Sequence, residues 1–458
     1  MSSDEARQQD FPTVSSETSF QVSMKPRLSE DTTAEPTGTV LSEWSVIANT
    51  MVGTGVLGLA SAFTATGWVL GFCLMTVSAL MAVFALHLMN CLSMNSKTRQ
   101  VSWYTVSGLY CPWAKLVVDI VVIVKCAGVA VSYLQVAGDM LSMLLVFWSG
   151  TDFSQSTVRS LIIVAATLMM APTCMAKELK STTLVNVLAL VTISYCVILG
   201  CVYSDVDAGD DTVGIPPQSS FTNILAKLPV FIFAFTCHEN MFPCATDMKE
   251  RTQKKLDLVA ISAELTGFII FLPAVICPYL TFGSHVEPNY LQNIDFENNI
   301  PVQVGYVALS IGVLCSYALQ VVPIVRSAMV LVTRGKTISS RRKANIIFYT
   351  VAAVCQLVPM ALAIAVHSLG VTFSFVGIVG SNTIAYIMPS FLYLMMVRKT
   401  GSKKGVTFYL AFALCVVAVC LLPLCIGSLI QQIIAGFWAQ TNVLVLFLLF
   451  YRSRQVVH

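Results

Sequence analysis

The residues of this chain able to do chemistry are few, and they stand inside apolar runs. One group is Asn49, Thr50, Val52, Gly53, Thr54, Gly55 and Gly58, a weak choice if the segment had only to pack as a helix. A second is Phe235, Thr236, Cys237, His238, Glu239 and Asn240, set between the apolar Phe231–Ala234 stretch and Pro243. Lys125 and Glu264 are isolated charges in otherwise uncharged stretches. Residues 53–58, GTGVLG, match the GxGxxG dinucleotide fingerprint. No polar-bounded strand precedes them, and Ser78 stands near where the ribose-binding acid belongs, so no nucleotide cofactor is expected. Neither HExxH nor GxSxG occurs, and no Cys/His catalytic pair stands out, so the chain does not read as an enzyme and needs no cofactor. What remains is binding and proton chemistry: a histidine that shuttles protons or bonds to backbone, and carboxylates that carry a proton or hold a cation.

The elements that must position these residues are set by composition. Of 458 residues, 56% are hydrophobic and 11% charged, with a mean hydropathy of +0.76. Soluble domains carry roughly 25% charge. Uncharged runs recur near the roughly 20 residues a helix needs to cross about 30 Å of hydrocarbon. The expectation is an all-α integral membrane protein in a lipid bilayer, with about 11 spans. They fall at Trp44–Thr66, Trp68–Met94, Trp113–Phe147, Val158–Met175, Leu184–Tyr203, Leu225–Thr246, Leu256–Phe282, Val302–Val332, Lys343–Val366, Val371–Val397 and Val406–Ile433. Residues 1–43 read as a disordered cytoplasmic tail with no signal peptide, and 434–458 as a C-terminal tail of unassigned placement. The transmembrane domain is 44–433, with helices 1–5 at 44–203, 6–10 at 225–397 and 11 at 406–433.

The net charge of +3 forms no basic stripe, and no nucleic-acid partner is expected. Alternate loops are basic: Lys97 with Arg99, Lys177 with Lys180, Lys249 to Lys255, Arg334 to Lys343, and Arg398 to Lys404. The intervening loops hold Asp205, Asp207, Asp210 and Asp211, then Glu287, Asp295 and Glu297. Positive residues stay inside, which puts the N-terminus in the cytoplasm. The 15 cysteines show no metal-ligand spacing and read as small packing residues.

The polar groups fall within the first and sixth spans, and both helices are expected to break, the first near Gly53 and Gly55. Unwound backbone survives at membrane depth only where protein or a water-filled cavity satisfies it. Two broken helices five spans apart are what a five-plus-five inverted repeat produces, with helix N-termini aimed at an anionic group. The competing reading is close packing through small residues. Lys125, twelve residues past Trp113, stands about 18 Å up its helix, and Glu264, nine past Lys255, about 13 Å. Lys125 and Glu264 are candidates for a buried charge pair, while Asp119 and Arg326 are expected to snorkel to the interface.

Asn49-Thr-Met-Val-Gly-Thr-Gly-Val-Leu-Gly-Leu59 with Ala62, Phe63, Gly67 and Trp68 resembles the first helix of the amino acid/auxin permease family. Phe231 to His238 with Asn240 and Pro243 is similar to its sixth, Tyr279 to Gly283 to the end of its seventh, and Ser316 to Pro323 with Arg326 and Ser327 to its eighth. The resemblance implies a LeuT-type fold with broken helices 1 and 6, and symport of L-amino acids, neutral before cationic, coupled to H⁺ or Na⁺ as secondary active transport. It implies that Val52, Gly53, Thr54, Gly55, Phe235, Thr236, Cys237 and His238 line the substrate site. Asn49, Ser316 and Glu239 become coupling-ion candidates, the first two for Na⁺. Glu239 departs from the neutral residue often found there. The alternatives are a non-transporting receptor of the same fold and a polyamine or auxin carrier. The plasma membrane is the first expectation for location, with a vacuolar or lysosome-like organelle membrane as the alternative.

Overall fold

Apolar runs punctuated by capping residues fold as helices, one after another. The computed structural model describes residues 36–96, 98–150, 153–175, 183–204, 220–334, 338 and 340–455, and among these every named element is helical. They are α1 Val40–Met51, α2 Gly55–Met94, α3 Trp103–Tyr110, α4 Ala114–Ser149, α5 Gln155–Cys174, α6 Thr183–Val202, α7 Phe221–Ala234 and α8 Met241–Asp247. There follow α9 Gln253–Phe282, α10 Ile300–Thr333, α11 Arg341–Ala365, α12 Leu369–Phe375, α13 Met388–Thr400 and α14 Val406–Gln455. The side chains of Thr39, Ser102, Ser220 and Thr252 each accept a hydrogen bond from a first-turn amide, which fixes where α1, α3, α7 and α9 begin.

Nine helical stretches among the described residues are long and apolar enough to cross a membrane. The chain is a multi-pass membrane protein, and its surface shows why. Leu161, Leu184, Val191, Ile269 and Phe412 are each more than half exposed, while Asn49, Lys125, Glu239, Glu264 and Gln320 are buried. Water would penalise so much exposed apolar surface; lipid does not.

Three features position the interior. The first expected break lies at 52–54, between α1 and α2; the second begins after Ala234, where 235–237 are irregular and His238–Asn240 form a single 3-10 turn before α8. In α2, Gly67 adopts φ 67° and ψ 175°, a conformation open essentially to glycine alone, and so separates two helical arms where the sequence separates its first two spans. Between α12 and α13, residues Val376–Ile387 form a π-helical segment that the pattern of Val371–Val397 does not announce. Its glycines explain the placement. A Cβ on Gly377 would fall 2.1 Å from the Pro229 carbonyl oxygen of α7, and one on Gly380 2.8 Å from the Lys125 Cα of α4.

Some expectations are corrected. Asp119 does not reach the interface but is 3% exposed, enclosed by protein instead of snorkelling, whereas Arg326 is exposed as expected. The last helix does not stop at Ile433: no proline follows Pro423, and the helix runs on to Gln455. The acidic run 205–211, Lys97, Lys177, Lys180, Lys336 and residues 1–35 lie outside the described residues. Three of the basic loops gather at one end. Arg99 donates to the carbonyls of Met248 and Lys249 at 2.5 and 3.2 Å, Arg251 to that of Arg99 at 3.0 Å, and Lys399 to that of Leu109 at 2.8 Å. At the same end Gly38 pairs with residues 247–249, through Gly38 N–H to the Asp247 carbonyl at 2.9 Å and Lys249 N–H to the Gly38 carbonyl at 2.8 Å.

Candidate functional site

The two breaks meet. A Cβ on Gly55, the first residue of α2, would lie 3.0 Å from the Cα of Ala234, the last residue of α7. On the other side, Asn240 Nδ2 donates to Thr50 Oγ1 at 2.8 Å, joining the start of α8 to the end of α1. Gly53 is required by a close approach, since a Cβ there would stand 2.5 Å from the Tyr133 hydroxyl of α4. Thr54 makes no side-chain cap to the first turn of α2; its hydroxyl lies 2.8 Å from that of Ser132. The amides that open α2 are left to face what lies before them, and helix N-termini favour anionic groups. At the second break, Thr236 Oγ1 donates back to the Ile232 carbonyl at 2.7 Å, and the Thr236 amide bonds the Phe233 carbonyl at 3.1 Å.

Between the breaks lies a cavity of about 10 Å³, lined by Thr50, Met51, Gly53, Thr54, Gly55, Lys125, Val129, Tyr133, Phe233 and Thr236. That is roughly the space of one water. An amino acid enters only if the breaks, α4 or the helices beside them move. A larger hollow, about 380 Å³, lies between Trp148 and the Ile300–Ile311 face of α10, but its lining carries no charged group and faces outward. The small central cavity is the one with chemistry.

The expected substrate-site residues divide. Gly53, Thr54, Gly55 and Thr236 line the cavity, and Val52 adjoins it along the chain. Phe235, Cys237 and His238 are buried behind it. Phe235 packs edge-on against Phe271 with ring centroids 5.2 Å apart, and Cys237 Sγ donates to Glu264 Oε1 at 3.5 Å. His238 is buried with its ring against the Ala82 backbone of α2.

The charges also pair differently from expectation. Lys125 Nζ donates to Glu239 Oε1, with both side chains at most 1% exposed. Glu264 is not its partner. The break brings Glu239 round to α4, whereas Glu264 faces Cys237 from α9. Opposed charges in low dielectric attract strongly, and with each other for company they reduce the penalty of burial. Asn49 and Ser316 do come together: Ser316 Oγ donates to Asn49 Oδ1 at 3.0 Å, and Asn49 Nδ2 to Asn186 Oδ1 at 3.1 Å. These oxygens suit a hard cation in kind, and no cluster of three or more His, Cys, Asp or Glu side chains able to hold a metal occurs among the described residues.

Sequence reasoning missed two groups. The Tyr133 hydroxyl and the Gln320 amide are buried side by side on α4 and α10, within reach of one another. Buried polar atoms are nearly always bonded, and an amide paired with one hydroxyl keeps a further donor and acceptor for a ligand or water. In sequence Tyr133 is one tyrosine in an apolar helix, and Gln320 falls within the Ser316 to Pro323 likeness without any signal that sets it apart there.

Residues 36–434 match the family model described as transmembrane amino acid transporter protein. The chain is 29% identical over 360 residues to vacuolar amino acid transporter 5 of Schizosaccharomyces pombe, covering 78% of this chain and 84% of that one. It is 24% identical over 421 residues to vacuolar amino acid transporter 5 of Saccharomyces cerevisiae, covering 79% and 90%. It is also 24% identical over 398 residues to sodium-coupled neutral amino acid symporter 2 of Danio rerio, covering 80% and 77%.

Proposed function

This chain belongs to the transmembrane amino acid transporter protein family, and on that premise we propose that it moves L-amino acids across a membrane by alternating access, driven by a proton or sodium gradient. Members and relatives are transporters, not enzymes. The observation that carries the proposal is the meeting of two helix breaks around the small central cavity.

Eleven spans form a five-plus-five inverted repeat plus one, with α1 and the first arm of α2 as the first span and α7 with α8 as the sixth. The substrate carboxylate sits at the start of α2, where backbone amides and the helix dipole favour a negative charge. Tyr133 and Gln320 supply hydrogen bonds, and Thr54 and Thr236 line its bed. Because Lys125 and Glu239 neutralise one another, the site presents no net side-chain charge, which favours neutral over cationic amino acids. Asn49 and Ser316 are the sodium candidates. The N-terminus is cytoplasmic, on the end where Arg99, Arg251 and Lys399 gather. The relatives named vacuolar favour an organelle membrane over the cell surface.

Coupling requires only that ion and substrate favour the same conformational states. The test is uptake of a panel of radiolabelled amino acids into proteoliposomes, with pH and sodium gradients imposed separately. Gradient-driven accumulation is expected for a few neutral amino acids. Saturable binding without accumulation would overturn the reading in favour of a receptor.

A further inference from the structure

Glu264 plays no part in the site described so far. It is 2% exposed on α9, directly behind the second break; its Oε1 accepts from Cys237 Sγ at 3.5 Å and its Oε2 has no partner. Lys125, the nearest ammonium, is engaged by Glu239, and His238, inside the break itself, is buried with its ring against the Ala82 backbone. A thiol is a weak donor, and an ionised carboxylate taken from water without compensation is heavily penalised. The neutral acid avoids that cost.

Other groups do not relieve it. From the π-helical segment, Tyr386 approaches but gives its hydroxyl hydrogen to the Ser78 carbonyl at 3.1 Å. Lys125 and Glu239, also near Cys237, are occupied with each other. The ionisable residue of α1, Glu43, lies beside Cys244 and Asp247. Those of α6, Tyr195, Cys196 and Cys201, sit in its last half. The α2 helix contributes His87, which is bound elsewhere: seven residues from Glu264 along α9, Asp257 holds His87 Nδ1 at 3.1 Å, Asn90 Nδ2 at 2.9 Å and Gln253 Nε2 at 3.0 Å. Seven residues is two turns, about 10.5 Å on one helix face. The His87 and Asp257 side chains are 39% and 23% exposed, so that cluster opens to the surroundings near Lys254 and Lys255.

We propose that Glu264 is a proton site of the transport cycle, loaded while the bundle is closed around the breaks and unloaded toward the Asp257–His87 end when residues 235–240 move. This rests on the reading of the chain as a gradient-driven transporter. On unloading, the acid O–H bond breaks, the electron pair stays on the Glu264 oxygen, and a new O–H bond forms to a water that enters as residues 235–240 move and hands a proton on toward the Asp257 carboxylate. The position behind Cys237 links this protonation to the substrate bed, because the same connector carries Thr236 into the cavity.

The experiment compares wild-type protein with Glu264→Gln and Glu264→Asp in proteoliposomes containing a trapped pH dye and a mixture of radiolabelled neutral and cationic L-amino acids. Wild-type protein is expected to accumulate substrate down a pH gradient with a matching dye response. Glu264→Gln mimics the loaded acid. It should lose roughly tenfold or more of that accumulation and the dye response, the scale of a coupling between sites, while equal-pH exchange of labelled for unlabelled substrate persists. Glu264→Asp should recover part of the proton-driven uptake. Undiminished pH-driven accumulation by Glu264→Gln, or wild-type accumulation that follows sodium and ignores pH, overturns the proposal but leaves the transporter reading standing. Parallel loss of exchange and accumulation in Glu264→Gln, unrelieved in Glu264→Asp, overturns it in favour of a structural role. Wild-type protein that binds but neither accumulates nor exchanges overturns both.

Discussion

The Lys125–Glu239 pair is fully enclosed, and its energetics follow from that. A buried ion pair is a weak source of net stability, because desolvation opposes the attraction, yet removing one partner strands the other charge at a cost of about 3–5 kcal/mol. Lys125→Met preserves most of the side-chain volume that packs on Gly380, so the loss isolates the charge. The variant is expected to fold poorly in detergent, and adding Glu239→Leu should restore most of the thermal stability, as read by fluorescence-detected size exclusion. If the single and double variants melt alike, the two side chains are not an energetic unit. Glu239→Gln tests function separately. With the pair holding α4 to the break, the expected result is a loss of transport without a change in which ion drives it; unchanged uptake and pH dependence would leave Glu239 with no functional role.

At the scale of elements, glycines decide which helices approach which. Gly67 holds a backbone conformation that costs a side-chain-bearing residue about 1–3 kcal/mol, so Gly67→Ala should lower the melting temperature measurably. Gly377→Ala should do more damage. The new methyl meets the Pro229 backbone carbonyl, which cannot rotate aside as a side chain can, and α7 or the π-helical segment must shift, an over-packing penalty of typically 1–3 kcal/mol. Gly427→Ala is the control, since nothing stands within 4 Å of a Cβ there. A Gly377→Ala protein as stable as the Gly427→Ala control would mean that the segment does not seat on α7 as described.

For the whole molecule, the closed cavity and the clasp at the basic end belong together. Gly38, Arg99, Arg251 and residues 247–249 tie the start of α1, the end of α2 and the end of α8 through backbone carbonyls. Alternating access with that end opening must part them. Cys244, 1% exposed on α8, reports on it. Arg99→Ala removes two hydrogen bonds from the clasp and is expected to speed modification of Cys244 by a water-soluble maleimide, read by peptide mass against wild-type protein. Equal Cys244 rates in both proteins would show that Arg99 does not restrain this end.

The sequence by itself determined the class of molecule and where its helices fail. Long uncharged runs admit only a membrane interior, and glycines or consecutive polar residues at 53–55 and 236–240 mark backbone that cannot stay helical without protein around it. The first break falls at 52–54 and the second one residue ahead of its polar run, after the aromatic Phe235 has left the helix. Asn49 and Ser316 were legible through family likeness, and they do meet. Only the tertiary structure decided the partners. A periodic pattern gives depth along a helix but not the azimuth of one helix against another, so it could not tell that Glu239 faces Lys125 while Glu264 faces Cys237. For the same reason Asp119 seemed free to snorkel, Tyr133 and Gln320 drew no assignment, and the wide turn at 376–387 stayed hidden. Each depends on what stands opposite it across a helix interface, and that is fixed by packing between segments far apart in the chain.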